Sequence, residues 1–391
     1  MRLVAGLALA AVCADTPRAT ESVRALSVGP ALLASAAAVD ALVAAARVGG
    51  FNALVVSTPE GPGAGAAQPL SLASTAAFDP LAATVRRAHE AGLAVHARIN
   101  VSLATNGDTL PATREDVVYR HPEWLMVPRA LGAGLATVDP KSPEYLGRLL
   151  RFVRGRSDSL EGLYLSPVQD ETVGYVASLV RAVVQRYAVD GVLLEGLRYP
   201  SDEFDYSRDA LAAFRESAIA GMPARDRAAY DARAKEEPFV YVDAFPDRWR
   251  AFRLERLSRL VQAVRAASKG VQPGLVLSAA IVADTEASSR LLQDWPAWLA
   301  ADLVDVVCPI TATADAGILT AQMTADHAVA GARIWAGIGT FGLTSTQIVE
   351  RVQAARRADV NGIVLFSSDT LTEPTRGPDY ISQVGRAAFV Q

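Results

Sequence analysis

Three carboxylates stand where an apolar run ends: Glu195 after GVLL, Asp284 after LVLSAAIVA, and Asp369 after GIVLFSS. A pair of carboxylates facing one cleft is what hydrolysis of a glycosidic bond requires. One, protonated, donates to the leaving oxygen, and the other, ionised, attacks the anomeric carbon or activates water. Glu195 is the leading candidate for the acid. In DGVLLEGLRYP (190–200) it follows Val192, Leu193 and Leu194 directly. Apolar neighbours penalise the charged form and so favour a carboxyl that keeps its proton. The competing reading is an ion pair with Arg98 or Arg198 that merely closes the end of the strand. Asp284 is the first choice for the second carboxylate and Asp369 the next, although each also opens a helical segment, where Asp is a favoured N-cap.

Polar and aromatic groups at the ends of other apolar runs are candidates for positioning substrate. Arg98 and Asn100 close AVHARIN (94–100), Arg198 and Tyr199 follow Glu195, and Thr311, Thr340 and Phe341 follow two later runs. Ser57 and Thr58 end the second run. Trp124, in HPEWLMVP (121–128), is either a platform for a sugar ring or the anchor of a long loop. GIGTFG (337–342) matches G-x-G-x-x-G. Its backbone N–H groups would suit a phosphate, but it lies outside a dinucleotide-binding βαβ unit, and a tight turn is the better account of the glycines. His89, His96, His121 and His327 are scattered and no CxxC or HxH spacing occurs, so neither a zinc site nor any cofactor is expected.

These groups need a frame. Eight short apolar runs, at 24–28, 52–57, 94–100, 191–196, 275–282, 304–310, 333–339 and 362–368, alternate with helical segments. Among the latter are 36–50, 79–93, 171–191 and 247–270, the second opening with Asp79 as N-cap and Pro80 at the first helical position. Near-continuous apolar runs are the mark of parallel strands covered on both faces. Eight of them predict an α/β fold of the (β/α)8 TIM-barrel type, with an open doubly wound sheet as the runner-up. Extra material after strands three and four (101–170 and 197–246) is expected to form loops and excursions over the barrel mouth. In such a barrel the active site sits at the C-terminal strand ends.

The 391 residues are 51% hydrophobic and carry a net charge of −4, with basic residues spread among acidic ones, which argues against nucleic acid as the main partner. Arg2 precedes LVAGLALAAVC and then the polar ADTPRATES. Residues 1–14 read as a signal peptide, with small residues around Ala14, followed by a flexible stretch 15–22 and one barrel domain over 23–391. The apolar stretch is too short to span a membrane. The expected location is extracytoplasmic, periplasmic or secreted, with lipidation at Cys13 as an alternative. Cleavage would leave Cys308 as the one cysteine, without a disulfide.

RALSV, GFNALVV, GLAVHARIN, RHPEWLMVPRAL, YAVDGVLLEGLRYP, QDWPAWL, VDVVCP and IWAGIG, in this order, resemble the bacterial glycosyl hydrolase-like proteins labelled family 10-like, of the cell-envelope peptidoglycan-glycan hydrolase group. The likeness runs from about residue 23 to 372. It implies a TIM barrel, an extracytoplasmic location and a carbohydrate substrate or ligand. The family's acid at strand four is an aspartate, where this chain has Glu195, and several aromatic positions of the family's mouth carry other residues here. The resemblance therefore implies either a glycoside hydrolase of altered specificity or an inactive barrel that binds glycan or an envelope protein.

Overall fold

Eight parallel strands close into a barrel in sequence order: β1 (Val23–Val28), β2 (Ala53–Ser57), β3 (Ala94–Asn100), β4 (Gly191–Glu195), β5 (Val276–Val282), β6 (Val306–Thr311), β7 (Trp335–Gly339) and β8 (Gly362–Phe366). The circle is closed by pairing of Val23 with Gly362 through Leu26 with Leu365. The computed structural model describes residues 22–58, 78–105, 107–111, 114–311, 313, 315–366, 376–377 and 379–390. The expected signal peptide and Asp369 lie outside the described residues.

Side chains alternate across each strand. One set forms the barrel interior, with Ala25, Ala53, Val55, Leu193, Ala280, Cys308, Trp335, Val364 and Phe366 as its buried apolar members. The other set, including Leu26, Leu54, Val192, Leu194 and Ile338, packs on the surrounding helices. At the base, two glycines make room for two rings. Gly191 is paired with His96, and a Cβ on it would stand 2.1 Å from His96 Nδ1. Gly362 is paired with Trp335, and a Cβ there would stand 2.3 Å from Trp335 Cδ1. The two rings meet edge to face at 5.3 Å. These side chains fill the base of the barrel.

The helices begin where the sequence places stop signals for the strands. Asp79 caps Pro80–Glu90 by accepting from the Ala82 N–H, and Thr344 and Gln347 form a capping box at Ser345–Arg357. The longest helix, Pro246–Lys269, packs on Asp170–Arg186. Among the described residues no helix is long and apolar enough to cross a membrane.

The excursions after β3 and β4 are more ordered than the expected loops. The first contains the helix Pro143–Arg154, capped by Ser142, and the second contains Arg208–Ile219 and Ala224–Arg233. Buried Asp205 stitches the two together. Its carboxylate accepts from the Val127 N–H at 2.8 Å and from the N–H and hydroxyl of Ser207. The second excursion has its own apolar core, in which Tyr206, Phe214, Tyr241, Trp249 and Phe252 meet.

Candidate active site

The strand ends of β3 and β4 define the site. Leu193 faces the barrel interior, so Glu195, two residues on, does as well. Register sets Arg98 opposite Leu193 and Asn100 opposite Glu195. The Glu195 side chain is 25% exposed and opens into a cavity of about 310 Å³. Ala280, Ile281, Val282 and Ile310 make one wall; Asn100, Glu161, Gly196 and Arg198 complete the rim with Gln293 behind them. Larger concavities, of about 480 and 590 Å³, are lined mainly by helix residues instead of strand ends.

Burial raises the carboxyl of Glu195 above its ordinary range, Arg98 opposes this, and Glu161 adds to it. Arg98 reaches Glu195 Oε1 through Nη1 at a long 3.4 Å. Its other guanidinium nitrogens, Nε at 2.9 Å and Nη2, both donate to Ser57 Oγ. Arg198 forms an ion pair with Glu161 at 2.8 Å. Among the described residues the cavity is thus flanked by two glutamates and two arginines, each glutamate touched by one arginine.

Glu161 is the functional candidate that the sequence pattern did not single out. It lies on the loop SDSLEGLYLSP (157–167), without strand or helix periodicity to mark its direction. The glycine that follows explains the path of the loop: a Cβ on Gly162 would stand 1.9 Å from the Thr105 carbonyl oxygen, so only glycine lets this loop return to the end of β3. Gln293, within QDWPAWL, pins the cavity wall. Its amide accepts from the Val282 N–H and donates to the carbonyls of Leu197 and Ala280.

Several expected site residues are placed elsewhere. Asp284 is exposed and caps the helix Thr285–Arg290, accepting from the Ala287 N–H at 2.7 Å; it does not line the cavity. Tyr199 is fully buried, with its hydroxyl on the Arg253 carbonyl, so it cannot meet substrate. Thr340 is also fully buried and bonds the Phe366 carbonyl through both N–H and hydroxyl. In GIGTFG the Thr340 N–H is already engaged and Gly342 serves the turn at φ +69°, which favours the tight-turn reading of the glycines over the phosphate one. Thr311 stands one residue out of phase with inward Ile310 and donates to Gln322 Oε1 on the outer helix Ala316–Ala330. Trp124 is buried, stacked on His121 at 3.9 Å, and anchors the first excursion. Asn100 lines the cavity, but its Oδ1 accepts from the N–H groups of Ser102 and Leu103. Phe341 is 79% exposed beyond the end of β7, on the face of the barrel that carries the cavity. Among the described residues no cluster of three or more His, Cys, Asp or Glu is arranged to hold a metal ion.

A closed barrel of eight parallel strands in sequence order, with helices between them, defines a (β/α)8 TIM-barrel protein. Residues 151–330, which include Glu161, Glu195 and Arg198, match the family model described as glycosyl hydrolase-like 10. The glycoside hydrolase domain of PgaB (BpsB) from Bordetella bronchiseptica superimposes with a TM-score of 0.62 at 15% identity, over 94% of this chain and 99% of that one. The catalytic domain of a β-amylase from Paenibacillus polymyxa gives 0.61 at 13% identity, over 95% and 98%. A β-galactosidase from Bacillus circulans sp. alkalophilus gives 0.63 at 11% identity, over 94% of this chain and 56% of that one. At these identities the likeness is one of fold. Comparison with curated proteins returned no match.

Proposed function

We propose that this barrel hydrolyses a glycosidic bond in a polysaccharide or peptidoglycan-type glycan outside the cytoplasm. The observation that carries the reading is the setting of Glu195: inward at the end of β4, mostly buried, its carboxyl raised by burial, and open to a cavity that a second carboxylate also lines. Glu195 donates its proton to the glycosidic oxygen as the bond to the anomeric carbon breaks. Glu161, held by Arg198, takes the proton of the water whose oxygen joins that carbon. One water is consumed and two hydroxyls result, which balances the step. The apolar N-terminal stretch supports export, and the glycosidase neighbours support a glycan as the ligand.

A second reading, a barrel that binds glycan without cleaving it, is favoured by one observation: among the described residues none of the side chains lining the cavity is aromatic, and stacking surfaces are a major source of sugar affinity. Incubation of wild type, Glu195→Gln and Glu161→Gln with a panel of polysaccharides and peptide-free peptidoglycan strands separates the two. New reducing ends from wild type, with at least a hundredfold loss in each folded variant, are expected of the hydrolase. Release unaffected by Glu195→Gln would refute its role. Binding without release by any form would establish the second reading.

A further inference from the structure

The contacts of Arg98 point to a device that the fold alone does not require. A guanidinium beside a carboxylate normally pairs through two nitrogens, which gives the strongest and best-directed form of the contact. Here that geometry is not used. Arg98 and Glu195 face the same space from adjacent strands, yet they touch through a single nitrogen at 3.4 Å. The nitrogens that would complete a fork, Nε and Nη2, are both taken by Ser57 Oγ on β2. Ser57 is paired directly with Arg98 in the β2–β3 register, so the hydroxyl is fixed by the sheet itself. The main chain reinforces this, because the Thr58 N–H and hydroxyl both bond the Arg98 carbonyl.

We propose that Ser57 is a positioning residue: by holding the guanidinium of Arg98 on β2, it denies Glu195 a two-nitrogen salt bridge and leaves the carboxyl free to carry a proton. The inference rests on the reading of Glu195 as the acid, and it names what keeps that acid from being neutralised as an ordinary ion pair. The other groups that face Glu195 electrostatically are Arg198 beyond β4 and Glu161 on the loop opposite; Cys308 on β6 feels the Glu195 charge from within the barrel. None of these hydrogen-bonds to Ser57, whose side chain bonds Arg98, so a change at Ser57 reaches Glu195 through Arg98.

The test is a titration that needs no turnover. Protein labelled with ¹³C at the glutamate carboxyls is titrated as wild type, Ser57→Ala, Ser57→Thr and Arg98→Met, with the Glu195 resonance assigned by its loss in Glu195→Gln. In Ser57→Ala the freed guanidinium closes on Glu195 and its midpoint falls by about one pH unit or more, within the range of a close opposite charge. Arg98→Met moves the midpoint the other way, upward. Ser57→Thr, which keeps the hydroxyl, retains the wild-type midpoint. A midpoint that stays or rises in Ser57→Ala, or falls in Ser57→Thr as it does in Ser57→Ala, overturns the proposal. In an active enzyme the basic limb of the pH–rate profile, set by loss of the donor's proton, shifts with the midpoint. An absence of reducing ends in every form refutes the hydrolase reading, and the titration still decides the role of Ser57.

Discussion

Asp326 offers the sharpest quantitative test of the structure. It sits on the helix Ala316–Ala330, 1% exposed, and its Oδ2 has no hydrogen-bond partner. Burial, with a lesser contribution from the charge of Asp284, pushes its carboxyl from an ordinary 3.8 up to about 7. The folded protein therefore holds this proton over a pH range in which the unfolded chain has lost it. The corresponding stability is fully present below about pH 4 and is lost as pH rises to about 7. Each pH unit between the two values is worth ~1.4 kcal/mol, so the charged form costs ~4 kcal/mol in place. Most of that loss, ~3 kcal/mol, falls between pH 5 and pH 8. Asp326→Asn removes the titration while nearly keeping the shape. Urea denaturation of both proteins at pH 5 and pH 8 isolates the contribution, since other titrating groups cancel in the difference. Wild type should lose ~3 kcal/mol relative to the variant on going from pH 5 to pH 8. Parallel pH profiles would refute the assignment of a buried, unsatisfied carboxyl at this position.

His96 at the barrel base acts in the opposite sense. Burial lowers its pKa from 6.5 to about 4, so its contribution is present above the unfolded value and is lost as pH falls toward 4. His96→Leu should therefore flatten the acid limb of the stability profile by ~3 kcal/mol, measured by the same denaturation series, and an unchanged limb would contradict it. Beside the catalytic candidate, Gly196 has φ +74°, and a Cβ on it would stand 2.5 Å from Asn100 Oδ1 and 2.7 Å from Ser102 Oγ. Gly196→Ala should cost ~1–2 kcal/mol in backbone strain and ~1 kcal/mol for each N–H that Asn100 releases, lowering the urea midpoint accordingly. A loss of only ~1–2 kcal/mol would show that Asn100 yields without consequence, and a loss below ~1 kcal/mol would refute the strain as well.

The strands were legible because all eight are buried on both faces, and a run such as GVLLE has no polar alternation to obscure it. The same property hid their phase. With apolar residues on either side, nothing in VDVVCPIT tells which neighbour faces the barrel, and Thr311 proved to be one step away from the inward residue. Glu195 escaped this ambiguity because it ends its strand two residues after inward Leu193. Side chains with a polar tip and a large apolar body misled for a related reason. Tyr199 and Trp124 read as contacts for a sugar, yet each satisfies itself inside the protein, against Arg253 and His121 respectively. Asp284 followed its local rule and became an N-cap. Glu161 could be found only once the loop had been folded back onto β3, since a loop carries no period from which direction can be inferred.

The helix Pro246–Lys269 belongs to two cores at once. Trp249 and Phe252, near its start, pack in the cluster of the second excursion, whereas Leu257, Leu260, Val261 and Val264 pack against the barrel. Its 24 residues make a rod of about 36 Å. A single residue added between Phe252 and Leu257 would rotate one set against the other by about 100°. The two lobes are thus geared together by helical phase. Over that short stretch only an insertion of a near-whole turn would leave both sets of side chains facing their own cores.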